Sequence, residues 1–477
     1  MLHSTNTARS HSRPRRVIGL TALLGAVAVL YLAPVGQADN RLESAQIVVY
    51  LDIPANIKSD ISLSLKGMSL IGDGDTVHLQ PTTSTINSAK RSGQQFRLAE
   101  QNIMPGRYRL LHLDFDSIEG LIGKAPVQPK PPPGGVDIPV ALDLLGSETR
   151  LVLISWSANA IKSDQTSYRP EFRVKRPDIS PVGSQIFISN EDSGYLTVVD
   201  RFSHSVVDLL RVGRGPRGMV YSSLAQQLFV ANSQSNTVSV IDGLSHRIIK
   251  TILLHFGDEP SRLVLSPDES ILYVLNYGSN SLSVVDARSL QEISRITVGD
   301  RPRGLTTDRN TGQVFVASEF SDDIYIYDPV TRSVVTTLAL ASSPREICYN
   351  DRTEQLYLSG TNQHALSVFS TETGNTVGAI SLCSPAAGLA CDNVTERLYV
   401  ALPGCSEIAI LRPDRELEIG NIELSSAPGL LTFDPAYRQL LAVMPQAGQL
   451  AIYNTNSHKL TGLINVGAKP YMAVVSQ

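Results

Sequence analysis

One column of residues in this 477-residue chain gathers positive charge. Pro216, Pro260, Pro302, Pro344, Pro428 and Pro470 each follow a turn-forming corner and open a short apolar run. The residue after that place reads Arg217, Ser261, Arg303, Arg345, Ala387, Gly429 and Tyr471 in chain order, with Arg214, Arg301 and Lys469 beside it. Arginine offers a planar fork of donors suited to carboxylate or phosphate. Arg214, Arg217, Arg301, Arg303, Arg345 and Lys469 are therefore the candidate ligand-binding set. The plainer expectation is that each pairs with an acid such as Asp258, Glu259, Asp300 or Glu346 and ties neighbouring elements together.

Other residues that could do chemistry have simpler explanations. His204, His246 and His458 fall at one place in a repeating pattern. A zinc ion would need its ligands within about 2.1 Å, whereas peripheral turns want residues that tolerate left-handed backbone, as His and Asn do. Asp200, Asp242, Asp286 and Asp328 read as turn caps that accept backbone N–H groups. Gly213, Gly257, Gly299 and Gly467 read as a turn requirement. No C-x-x-C-H, paired C-x-x-C or G-x-S-x-G motif occurs, and the single Trp is Trp156. No catalytic residue, metal site or cofactor is expected.

These residues are positioned by a repeat. IFISNEDSGYLTVVD (186–200), LFVANSQSNTVSVID (228–242) and LYVLNYGSNSLSVVD (272–286) are followed by four fainter copies beginning at Val314, Leu356, Leu398 and Leu440. Every step is 42 residues except one of 44, whose extra length falls in the loop LLHFGDEP (253–260). Each unit adds a β-branched run and a strand after the Gly/Pro corner, so four short strands recur seven times. That is the form of a seven-bladed β-propeller, in which innermost strands line a central channel and place the arginine column at its mouth. The final segment AKPYMAVVS (468–476) reads as an innermost strand with no hairpin after it, and is expected to pair beside the first hairpin, closing the ring.

The phrases LFVANSQSNTVSVID, LYVLNYGSNSLSVVD and VGDRPRGL closely resemble the YVTN-type β-propeller repeat, over residues 184–477. The likeness fades as Asn190, Asn232 and Asn276 give way to Ser318, Gly360, Leu402 and Met444. It implies a seven-bladed propeller of the kind usually found in bacteria or archaea, often exported and mostly without assigned chemistry.

Residues 45–176 carry alternating strands without the repeat, such as AQIVVYLDI and VDIPVALDL, and a proline-rich loop PVQPKPPPGG (126–135). They are expected to form a small β-sandwich. LDIPA and PGRYRLLHLDF resemble an exported bacterial domain of unknown function with a prealbumin-like sandwich, which implies at most a surface or ligand-binding module. RPDISPVG (176–183) is the expected join.

The N-terminus reads as a cleaved signal peptide over residues 1–38: Arg9, Arg13, Arg15 and Arg16, the 16-residue apolar run Val17–Leu32, then PVGQA. An uncleaved anchor is the alternative, but the run is short for a span of about 20 residues. Removing those four arginines takes the net charge from −4 to −8, which disfavours a phosphate-coating nucleic-acid binder. Of four cysteines, Cys383 and Cys405 fall in two loops of one face and are expected to form a disulfide. Cys348 and Cys391, in innermost strands, are expected as buried free thiols.

The sequence thus predicts an all-β protein, an N-terminal β-sandwich followed by a seven-bladed β-propeller, periplasmic or extracellular and monomeric. Its expected role is non-catalytic binding or scaffolding, the partner being an unidentified protein or a small anionic ligand. The alternative is a lactonase- or lyase-type enzyme acting on an anion at the channel mouth.

Overall fold

The computed structural model describes residues 44–476 apart from 56, 58, 123, 162–166, 178–183, 341 and 342. The signal segment 1–38 and most of the expected join lie outside the described residues. Strands make up nearly all of the described regular structure.

From Gln185 onward the strands form seven four-stranded antiparallel sheets. The first blade holds Gln185–Asn190, Tyr195–Asp200 and Val206–Arg211, and takes its innermost strand, Pro470–Val475, from the other end of the chain. Ile186 pairs with Val475 and Ile188 with Ala473, so the ring closes as the phase of the repeat predicts. Pairing the two ends covers what would otherwise be exposed sheet edges. Each innermost strand then packs beside the next, and Pro470–Val475 lies against both Leu431–Asp434 and Pro216–Ser222.

The alternating pattern of each hairpin has a direct cause. Its two strands are buried on both faces, because a blade is stacked between two others: in Ile271–Asn276 and Ser281–Asp286 only the outer ends are partly exposed. Polar groups enclosed there must find partners. Asn276 Nδ2 donates to Ser281 Oγ at 3.0 Å and Ser283 Oγ at 2.7 Å, and Asn232 serves Thr237 and Ser239 in the same way. Where the asparagine becomes Leu402 or Met444, the residue seven places on is Ala409 or Ala451, so lock and partner are lost together.

The glycine column needs correction. Of Gly213, Gly257, Gly299 and Gly467, only Gly257 has positive φ (85°). At Gly213 a Cβ would come within 2.6 Å of Asn232 Cγ, and at Gly467 within 2.5 Å of Asn190 Cγ. Close approach of the hairpin asparagine, not turn conformation, demands these glycines. The aspartates do cap turns: Asp242 Oδ1 accepts from Ser245 N at 2.6 Å and Asp286 Oδ1 from Ser289 N at 2.7 Å. Those backbone donors hold both carboxyls below the usual range. His204, His246 and His458 sit at φ of 53°, 57° and 56°, the left-handed turn conformation.

Residues 45–174 form two sheets around one core that contains Trp156. One sheet orders Glu171–Val174, Thr149–Ser157, Ala45–Ile53 and Gln94–Ile103, its central pair running parallel. The other is built on Ile61–Gly72 and the 17-residue strand Gly106–Ile122. The outer face of the first sheet docks on the propeller where blades 7 and 1 meet. Val48, Tyr50 and Leu153 join the apolar cluster between those blades. Gln95 bonds both backbone groups of Val206, Tyr50 Oη donates to Asn465 O at 2.8 Å, and Arg97 Nη1 donates to Val466 O at 2.7 Å. The ring is therefore clamped at its closure.

Candidate functional site

A cavity of about 380 Å³ opens at the mouth of the channel. Three positions of the repeat build it. The first is the residue after the innermost proline position, which contributes Arg217, Ser261, Arg303, Arg345, Ala387, Gly429 and Tyr471. The second is the next residue, and it brings Arg262 and Glu346. The third follows the end of each hairpin's first strand and adds Glu191, Tyr277, Pro403 and Pro445.

Of the six cations expected here, Arg217, Arg303, Arg345 and Lys469 line the cavity. Arg214 and Arg301 do not. Arg214 is exposed in its corner. Arg301 has φ 51° and lies over the Tyr277 and Phe320 rings, 5.3 and 5.1 Å from their centroids, donating to Tyr277 Oη at 2.5 Å. Arg262 is the cation the sequence reading missed. The innermost strands of blades 3 and 5 shift register between Pro260 and Arg262 and between Pro344 and Glu346. Such a bulge puts two consecutive residues opposite one and re-aims a side chain.

Most of the cations are paired, though with acids other than most of those expected. Arg217 donates to Glu191 Oε1 at 2.8 and 2.9 Å, and Lys469 takes Glu191 Oε2 at 2.9 Å. Arg303 pairs with Glu319, which also accepts from Thr361. Arg262 spans from blade 3 to blade 5 and holds both oxygens of Glu346, at 2.6 and 2.7 Å. Asp258 instead binds Arg295, outside the cavity.

Arg345 stands apart. Among the described residues no carboxylate lies within ion-pair distance of it, and its Nε is buried without a hydrogen-bond partner. The electrostatics follow from this inventory. Arg217, Arg262, Arg303, Arg345 and Lys469 face Glu191, Glu319 and Glu346, with Asp192 3.8 Å from Lys469 Nζ, so five cations meet four carboxylates and one positive charge is left over. Burial pushes the Glu346 carboxyl up, and Arg262 and Arg345 only partly offset it. Burial also opposes ionisation of Glu191, but Lys469 and Arg217 outweigh it and hold that carboxyl below the usual range. The side of the mouth formed by blades 6 and 7 is neutral, lined by Ala387, Pro403, Pro428, Leu430 and Pro445.

Farther down the channel a second cavity, of about 710 Å³, shares no lining residue with the mouth. Cys348 and Cys391 line it, joined to each other with Cα atoms 6.3 Å apart, which corrects the expectation of free thiols. The innermost strands of blades 5 and 6 run side by side, and this brings the two cysteines within reach. Cys383 and Cys405 are likewise joined, with Cα atoms 6.5 Å apart on the rim of blade 6. Their sulfurs lie near the Glu407 carboxylate, but the disulfide leaves no thiolate there to hold a metal. The three histidines form no metal-ligand group among the described residues: His246 is held by Asp208 and Gln185, at 2.8 and 2.7 Å.

Among curated proteins none matches the chain. Hydrazine synthase of Kuenenia stuttgartiensis superposes with a TM-score of 0.50 at 20% identity, over 65% of this chain and 98% of that one. Dihydro-heme d1 dehydrogenase NirN in complex with DHE gives 0.49 at 14% identity, over 63% and 77%. A family model described as lactonase, 7-bladed beta-propeller, matches residues 186–339, which run from the first hairpin through blade 4. Over that stretch the chain is similar to the seven-bladed lactonase propellers, and the likeness to hydrazine synthase is one of fold.

Proposed function

We propose that the protein is an exported, monomeric binding protein that holds a small anionic ligand at the mouth of its propeller. Arg345 carries this reading: a guanidinium facing the cavity with a buried, unbonded Nε and no carboxylate paired to it. The guanidinium is half-buried and unpaired, and an anion entering the mouth would supply the charge-assisted partner it lacks. Export is supported by the arginine-flanked apolar segment at the N-terminus and by the likeness of the hairpins to YVTN-type repeats. The test is a thermal-shift panel of organic acids, sugar acids and phosphates. An anion that raises the melting temperature of the wild type but not of Arg345→Gln supports the reading. A panel without any shift refutes it.

The lactonase match over residues 186–339 favours a second reading, hydrolysis of an anionic lactone at the same mouth. That chemistry needs a group to activate water. Glu191, Glu319 and Glu346 are each engaged by cations, so none is poised as a base, which supports binding over turnover. Lactone panels followed by proton release distinguish the two, since turnover abolished by Arg345→Gln would establish the enzyme.

A further inference from the structure

We propose that the ligand class of this site is a monocarboxylate with a compact apolar body; the inference rests on the anion-binding reading above. The mouth is divided in a way that selects for such a molecule. Four of its five cations are already neutralised by four carboxylates: Arg217 by Glu191, Lys469 by Glu191 and Asp192 together, Arg303 by Glu319, Arg262 by Glu346. One guanidinium remains, and its fork matches one carboxylate through two parallel N–H···O bonds. A phosphate dianion or a polycarboxylate would ask for more positive charge than Arg345 alone offers.

Arg345 belongs to blade 5, and the neutral arc begins on the adjacent blade 6 with Ala387 and Pro403. It continues on blade 7 with Pro428, Leu430 and Pro445. A carboxylate seated on Arg345 would therefore lay its remaining atoms against Ala387, Pro403, Pro428, Leu430 and Pro445, whose side chains offer no donor, with the Gln446 amide the one donor on that side. Sugar acids and sugar phosphates, whose hydroxyls want partners throughout, would leave them unbonded there. An apolar body gains instead from leaving water. The cavity volume of about 380 Å³ sets the limit of that body, at the small end for ligand pockets.

The test is calorimetric titration of the full chain with acetate, butanoate, hexanoate and octanoate, alongside inorganic phosphate and glucose 6-phosphate. Affinity should rise about fourfold for each added methylene, equivalent to ~0.8 kcal/mol per buried CH₂, until the neutral arc is covered. Arg345→Gln should abolish binding along the whole series. Ala387→Leu, which fills the apolar side, should weaken octanoate and spare acetate. Equal affinities along the series, or phosphate binding more tightly than octanoate, would overturn the ligand class while leaving the anion site standing. No binding by any of these anions would remove both.

Discussion

Replacing Arg262 with Met probes the bridge across the channel most sharply. Arg262 and Glu346 are each 13% exposed, and the guanidinium covers both carboxylate oxygens. Removing one partner of a buried pair costs about 3–5 kcal/mol when the other must stay charged. Glu346 has an escape, because burial already pushes its carboxyl up and losing Arg262 would push it further. The sign follows from linkage. A carboxyl raised in the folded state contributes stability that is full below its ordinary range and is lost as pH rises through the raised value. The variant should therefore nearly match wild type at pH 4 and fall behind steadily toward pH 8. The 417 described residues unfold with an entropy of about 0.9 kcal/mol per kelvin. The cost at pH 8 is then a fall in melting temperature of about 3–5 °C, measured by calorimetry across pH. A double replacement, Arg262→Met with Glu346→Leu, should recover most of it at every pH. A loss independent of pH, or a double variant no better than the single one, would refute the pair as the origin.

Glu191 and Glu319 give the opposite pH dependence. Both carboxyls are held below their usual range despite burial, so their contribution is present above that range and lost as pH falls through the depressed values. Glu191→Gln with Glu319→Gln should flatten the acid limb of the stability profile; an unchanged limb would count against these pairs. Deleting residues 468–477 removes the strand paired with Ile186–Asn190. The truncated protein should melt early or aggregate, and an unchanged melting temperature would rule out closure by that strand. Peptide mapping of the non-reduced protein should recover Cys383 linked to Cys405 and Cys348 linked to Cys391. Loops of about 20 and 40 residues would each stabilise by ~3–4 kcal/mol in the chain-entropy model, and alkylation of all four cysteines without reduction would contradict both links.

The blades were legible because seven copies of one pattern differ by a constant step, which fixes strand number, phase and the closing strand at once. The site was legible only where a side chain obeys the plain alternation of a strand. Arg217, Arg303 and Arg345 do. Arg262 and Glu346 do not, since alternation after Arg217 or Arg345 turns the next residue away, and only the bulge after the proline turns it back. The residue after each hairpin's first strand reads Glu191, Ser233, Tyr277, Glu319, Thr361, Pro403 and Pro445, and four of these, Glu191, Tyr277, Pro403 and Pro445, line the mouth. In the N-terminal region the strand Gln94–Ile103 was hidden for a related reason. Its polar Gln95, Arg97 and Glu100 look like loop residues in isolation, yet they face the propeller and bond Val206, Val466 and Ser193. Their partners are more than 90 residues away, which no local pattern can show.

The central claim, that the mouth holds an anion on Arg345, is tested most directly by crystals grown with 4-bromobenzoate. Anomalous scattering would locate the bromine independently of any assumption about the site. One bromine peak is expected over the neutral side of the mouth, near Leu430 and Pro445, with the carboxylate bonded to the Arg345 guanidinium. An empty mouth in crystals that hold the ligand elsewhere, or a bromobenzoate bound with its carboxylate away from Arg345, would contradict it.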